Sequence, residues 1–166
     1  MQRKSWNFNN IPPELTQLKQ WVNWKYAFDK KRDKWTKPPC KPNGNNMDPH
    51  KPGNWLSFPQ AVEAFKKNKK LAGVGLVLTS DLGLVGIDLD HCIKNGTLEP
   101  WAAEIVRKVG SYAEISPSGA GIRIFVLGRL PGGIDGRKKG KVEMYASGRY
   151  LTVTGTPLPK GAPCKE

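Results

Sequence analysis

The chain has 166 residues, 38 % hydrophobic and 25 % charged, enough for one compact domain with a core and too few for a second catalytic domain. Lysine and arginine number 27 against 14 acids, a net charge of +13, so the expected partner is an anion: nucleic acid, a nucleotide or an anionic membrane surface. The membrane fits worst, because no apolar run approaches the roughly 18 to 20 residues of a spanning helix and Pro12-Pro13 interrupts any early amphipathic face.

Met1-Gln2-Arg3-Lys4 leads into Asn7, Asn9 and Asn10 rather than an apolar leader, which makes a cytoplasmic location the expectation. Leu15, Leu18, Trp21 and Val22 recur at helical spacing and predict a short helix running into an extended Trp24-Lys25-Tyr26 segment. Between Lys34 and Pro59, six prolines and the Asn43-Gly44 pair predict an irregular surface loop, a common carrier of binding groups. Ser57 caps a predicted helix with Ala61, Val62, Ala64 and Phe65 on its apolar side, ending in the lysines of Lys66 to Lys70. Val74 to Thr79 and Leu84 to Leu89, joined by Ser80-Asp81-Leu82-Gly83, read as a β-hairpin. A helix over Glu99 to Val109 stops at Gly110, and strands follow at Ser111 to Ile115, Gly121 to Leu127, Lys141 to Tyr145 and Tyr150 to Thr154. The sum is an α+β fold with helices beside a mixed or antiparallel sheet, and Pro157 to Glu166 reads as the start of a linker. Cys40, Cys92 and Cys164 are odd in number and far apart, so reduced thiols are expected rather than a disulfide framework or zinc site.

The sharpest feature is Gly86-Ile87-Asp88-Leu89-Asp90-His91, where acids at i and i+2 of a strand share one face while Ile87 and Leu89 turn to the core. Two like charges so close want a shared proton or a cation, and magnesium or manganese is the hard-oxygen solution. Glu143 repeats the pattern in Val142-Glu143-Met144-Tyr145 and becomes a third ligand if its strand lies beside the first.

Ser116-Pro117-Ser118-Gly119-Ala120-Gly121 offers hydroxyls and glycine-exposed N–H groups, the chemistry of an anion-binding nest. Arg123 follows in mid-strand among apolar neighbours and needs a carboxylate or a phosphate as partner. Arg149 after the Glu143 strand and Lys37 in the proline-rich loop are further candidates for triphosphate oxygens. Arg137, Lys138, Lys139 and Lys141 form a basic turn fit to grip nucleic-acid backbone without reading sequence. Among six tryptophans, Trp35 lies in the loop, where it can stack on a base.

The order of the Asp88-Leu89-Asp90-His91 motif, the Ser116-to-Arg123 segment and Glu143 with Gly148-Arg149-Tyr150 resembles the primase-polymerase domain of the archaeo-eukaryotic primase superfamily. The branch it looks most like occurs in replication proteins of phages, plasmids and prophages, and Trp24 through Lys37-Pro38 and Pro52 to Phe58 extend the likeness over nearly the whole chain. The resemblance implies a primase-polymerase fold with an RRM-like catalytic core over residues 1–166, the N-terminal part of a longer replication protein. It implies metal binding by Asp88, Asp90 and Glu143, and nucleotide contacts from Ser116, Ser118 and Gly119. Lys37, His91, Arg123 and Arg149 complete the expected nucleotide site. That family often has histidine where this chain has Arg123, which cannot ligate a metal or act as a neutral acid near pH 7.

The implied activity is template-directed nucleotidyl transfer, as a DNA primase or polymerase using magnesium or manganese. Its partners would be a single-stranded or primed DNA template, nucleoside or deoxynucleoside triphosphates, and a helicase domain or subunit. Two readings compete: a replication module that binds nucleic acid with weak or lost catalysis, and a metal-dependent nuclease, which has no use for a triphosphate pocket.

Overall fold

A computed structural model describes residues 1–162, so Cys164 lies outside the described residues. A single-turn helix α1 (Pro13–Thr16) precedes β1 (Trp21–Trp24), β2 (Ala27–Asp29), β3 (Lys34–Thr36) and β4 (Pro39–Cys40). Helix α2 (Phe58–Lys67), β5 (Gly73–Leu78), β6 (Leu84–Leu89), β7 (Ile93–Lys94), β8 (Thr97–Leu98) and α3 (Pro100–Val109) follow. The chain continues with β9 (Tyr112–Ile115), β10 (Ile122–Leu127), β11 (Gly136–Lys139), β12 (Val142–Tyr145) and β13 (Arg149–Val153).

Two sheets carry the α+β fold: four strands in the order β13-β5-β1-β4 and five in the order β11-β12-β6-β10-β9. Every pairing among the described strands is antiparallel, which removes the mixed-sheet alternative. Trp21, Leu76, Leu78, Leu151 and Val153 build a core with Ala61 and Phe65 of α2, and Leu84 and Phe125 of the larger sheet join it. On the other side of the larger sheet, Val85, Ile87, Leu89, Ile122 and Ile124 pack with Ala102 and Val106 of α3. Burying each such aliphatic side chain contributes about 1.5–3 kcal/mol. Both long helices begin and end on local chemistry. Ser57 and Gln60 form a reciprocal capping box on α2, and Gly110 closes α3 in the left-handed conformation at φ 56°.

Three expectations need correction. The N-terminal helix is one turn long, and Trp21 and Val22 belong to β1, where both are fully buried in pairing with β5. β5 and β6 are not a hairpin: Ser80–Leu82 makes a 3-10 turn that hands the chain from the smaller sheet to the larger. The basic turn before Glu143 is for the most part strand β11, paired with β12, and only Gly140 and Lys141 turn the corner. The proline-rich segment is irregular as expected apart from β3, β4 and a 3-10 turn at Pro52–Asn54.

Candidate active site

Alternation along β6 positions the site. Ile87 and Leu89 enter the α3 core, which leaves Leu84, Gly86, Asp88 and Asp90 on the opposite face. That face starts apolar, with Leu84 in the inter-sheet core, and becomes acidic toward its end. β13 lies across it: a side chain at Gly86 would strike the Leu151 side chain, and one residue later Thr152 reaches Arg123.

Register then sets one charged row across the sheet. Arg123 stands opposite both Glu114 and Asp88, Asp88 opposite Glu143, and Glu143 opposite Lys138. Arg123 is 8 % exposed in its side chain; Nη2 donates to Asp88 Oδ2 at 3.0 Å, and Nη1 donates to the Thr152 carbonyl at 2.7 Å and to the Thr152 hydroxyl. Its Nε is buried with no acceptor. Glu143 accepts from Lys138 Nζ at 2.6 Å and from the Tyr145 hydroxyl at 2.6 Å, and these two hydrogen bonds hold its carboxyl below the ordinary glutamate range. Asp90 is pushed the other way, first by desolvation and then by the charges of Asp88 and Glu143.

Glu114 anchors the inner end of the row. It is fully buried and accepts from the Tyr112 hydroxyl at 2.7 Å and from the backbone N–H groups of Thr154 and Gly155 at 2.9 Å each. Burial raises its pKa, against those hydrogen bonds and the charge of Arg123. Glu114, Thr152 and Tyr145 escaped the sequence reading. Ala113-Glu114-Ile115, an acid between apolar neighbours in a strand, is the signal that singled out Glu143 and was equally available there.

The nucleotide candidates lie around this row. Lys37 is exposed as a residue, yet its ammonium feels Arg123, Asp88 and Asp90; desolvation first and Arg123 second lower its pKa. The Tyr150 hydroxyl donates to the Lys37 carbonyl and ties that loop to β13. Arg149 is exposed and its guanidinium lies 4.6 Å from the Tyr145 ring centroid, beside Glu143. His91 sits exposed just past Asp90 with φ 48°. The serine-glycine turn is stitched by Ser116 Oγ to Ser118 Oγ at 3.1 Å and by Gly119 N–H to the Ser116 carbonyl at 2.9 Å. It packs on the end of β6 because Gly121 has no side chain: a Cβ there would lie 2.7 Å from the Leu89 carbonyl oxygen. The four backbone candidates separate. Lys138 faces Glu143, Arg137 and Lys139 line the other face of β11 with Val142 and Met144, and Lys141 lies over Trp101.

Over 148 residues, 85 % of this chain, the sequence is 38 % identical to a DNA primase-polymerase of Nitratiruptor phage NrS-1. The chain is similar to a phage DNA primase-polymerase. It spans 20 % of the length of that phage protein. No family model matches the chain.

Among the described residues, no group of three or more His, Cys, Asp or Glu side chains is gathered to hold a metal ion. Asp88 and Glu143 are instead turned to Arg123 and Lys138. The donor set still fits a hard divalent cation in chemistry: Asp88, Asp90 and Glu143 share one face, and the charges of Asp88 and Glu143 add to desolvation in raising Asp90. No helix among the described residues is long and apolar enough to cross a membrane.

Proposed function

We propose that the chain is a nucleotidyl-transfer domain that extends or starts a strand on a DNA template, a single domain of a longer replication protein. The observation that carries this reading is the acidic face of β6 and β12 ringed by Lys37, Arg123 and Arg149, in a chain similar to a phage DNA primase-polymerase. Asp88, Asp90 and Glu143 would hold magnesium or manganese, which when bound supplies charge neutralisation at the reacting phosphate and lowers the pKa of the attacking hydroxyl.

The chain's own residues do the rest. Lys37 and Arg149 are open to solvent and bind the phosphates of the incoming triphosphate. The Ser116 and Ser118 hydroxyls of the turn at Gly119 offer further donors to the same anion, with His91 at its edge. Arg123 is buried against Asp88 and Thr152, so it fixes the carboxylate's orientation. The 3′-hydroxyl attacks the α-phosphate and pyrophosphate leaves.

A second reading has one observation in its favour: two of the three acids are already engaged by basic side chains, as a nucleic-acid-binding module without catalysis would tolerate. Primer extension on a labelled template with magnesium or manganese separates the two. Extension that vanishes in Asp88→Ala plus Asp90→Ala supports the transferase. Tight template binding without extension in either metal sinks it in favour of the binding module.

A further inference from the structure

β2 and β3 form a two-stranded sheet that belongs to neither larger one. Phe28 and Trp35 are direct cross-strand partners on it, with ring centroids 5.5 Å apart at 67°. The pair staples a hairpin whose strands are three residues each, a length that is marginal alone. Even so, Phe28 and Trp35 are 45 % and 46 % exposed, while every other phenylalanine and tryptophan among the described residues is buried or half-buried. The edge-on contact between the two rings leaves nearly half of each residue open to solvent.

The charge beside those rings is predominantly positive. The connecting turn is Lys30, Lys31, Arg32 and Asp33, with Lys34 next, and all five are exposed. Asp29 holds the turn in shape by accepting from the Lys31 and Arg32 N–H groups at 3.0 and 3.2 Å and pairing with Arg32 Nε at 3.4 Å. Lys30, Lys31 and Lys34 have no ion-pair partner among the described residues. Two residues after Trp35 the chain reaches Lys37, whose carbonyl accepts from the Tyr150 hydroxyl of β13, the strand that also reaches Arg123 through Thr152, so the hairpin rises beside the candidate active site.

We propose that this hairpin is a stacking platform for single-stranded DNA. Phe28 and Trp35 offer ring surface to bases, and Lys30, Lys31, Arg32 and Lys34 follow the phosphates. Stacking of this kind tolerates any sequence, since every base has a π-face, and it needs unpaired bases, since a duplex hides those faces. The proposal deepens the template-directed reading above and takes the identity of the nucleic acid from it.

The test is fluorescence anisotropy of the full chain with labelled oligo-dT of about 15 nucleotides and a matching duplex, over a salt series. Trp35→Val keeps a strand-forming apolar residue opposite Phe28 and removes the ring. It should bind oligo-dT roughly 5- to 150-fold more weakly with an unchanged salt slope, and Trp35→Phe should recover most of the loss. Lys30→Ala, Lys31→Ala and Lys34→Ala together should flatten the slope by about 0.7 for each phosphate contact removed. Wild-type affinity in Trp35→Val, or an equal loss in Trp35→Val and Trp35→Phe, overturns the platform. If primer extension survives beside that result, the transferase reading stands without it. Conversely, Trp35-dependent binding in a chain that never extends a primer leaves the platform and removes the transferase.

Discussion

Arg123→Ala should destabilise the chain by about 3 to 5 kcal/mol, because it strands a carboxylate that is mostly out of water. Arg123 and Asp88 are 8 % and 18 % exposed in their side chains and meet at 3.0 Å, and the same guanidinium donates to the Thr152 carbonyl at 2.7 Å. Its loss would also leave buried Glu114 without the cation that faces it across the register. For a domain of this size each kcal/mol moves the melting temperature by roughly 2–4 °C, so a fall of about 6 to 20 °C is expected. Urea unfolding followed by tryptophan fluorescence on wild type, Arg123→Ala, Asp88→Ala and the double variant gives the coupling directly. The double variant removes the stranded charge together with its former partner and should cost about 2 kcal/mol less than the sum of the singles. Losses that add to within about 0.5 kcal/mol would show that the pair braces nothing, and the account of Arg123 as a positioning residue would fail with it.

Glu114→Gln should cost about 1–3 kcal/mol, since an amide must turn a donor toward one of the Tyr112, Thr154 or Gly155 donors; an unchanged urea midpoint would refute this. Gly121→Ala should cost a similar 1–3 kcal/mol by pushing a methyl group into the Leu89 carbonyl, and calorimetry on the variant checks it. Glu143 is depressed in the fold by Lys138 and Tyr145, so its contribution is present above the unfolded value near about 4.3 and is lost as pH falls through the folded one. The stability difference between wild type and Lys138→Ala should therefore be visible at neutral pH and vanish once Glu143 is protonated. A carboxyl titration by NMR should find Glu143 shifted upward in that variant.

Much of the site was legible because it depends on local periodicity. The i, i+2 spacing of Asp88 and Asp90 between buried Ile87 and Leu89 fixed a shared face, and Ser57 as a capping residue marked the start of α2. What could not be read is pairing between distant segments. Trp21 to Trp24 is four residues long, too short for apolar period to separate helix from strand, and it became β1 because β5 offered it a partner. Ser80 to Gly83 looked like a hairpin turn because turn chemistry says that the chain reverses and not which sheet receives it. Glu114 shared its pattern with Glu143, yet only the register of β9 on β10 sets it opposite Arg123. The Arg137-to-Lys141 run read as a turn by its charge, and edge strand β11 is where a sheet accommodates lysines.

The place of β6 in its sheet has a dynamic consequence. It is the middle strand of five, bonded to β10 along its whole length and to β12 from Gly86 to Leu89, so Asp88 cannot shift without opening hydrogen bonds on both sides. The groups around it sit in or beside turns instead: Lys37 just past the β2-β3 hairpin, the Ser116 to Gly121 turn, and Arg149 at the start of β13 next to Gly148 at φ 70°. Amide exchange should accordingly be slowest at Ile87 to Leu89 and fastest in the three turns. A stiff acidic floor with more adjustable basic walls would let one scaffold keep its carboxylates in register while the groups around them move.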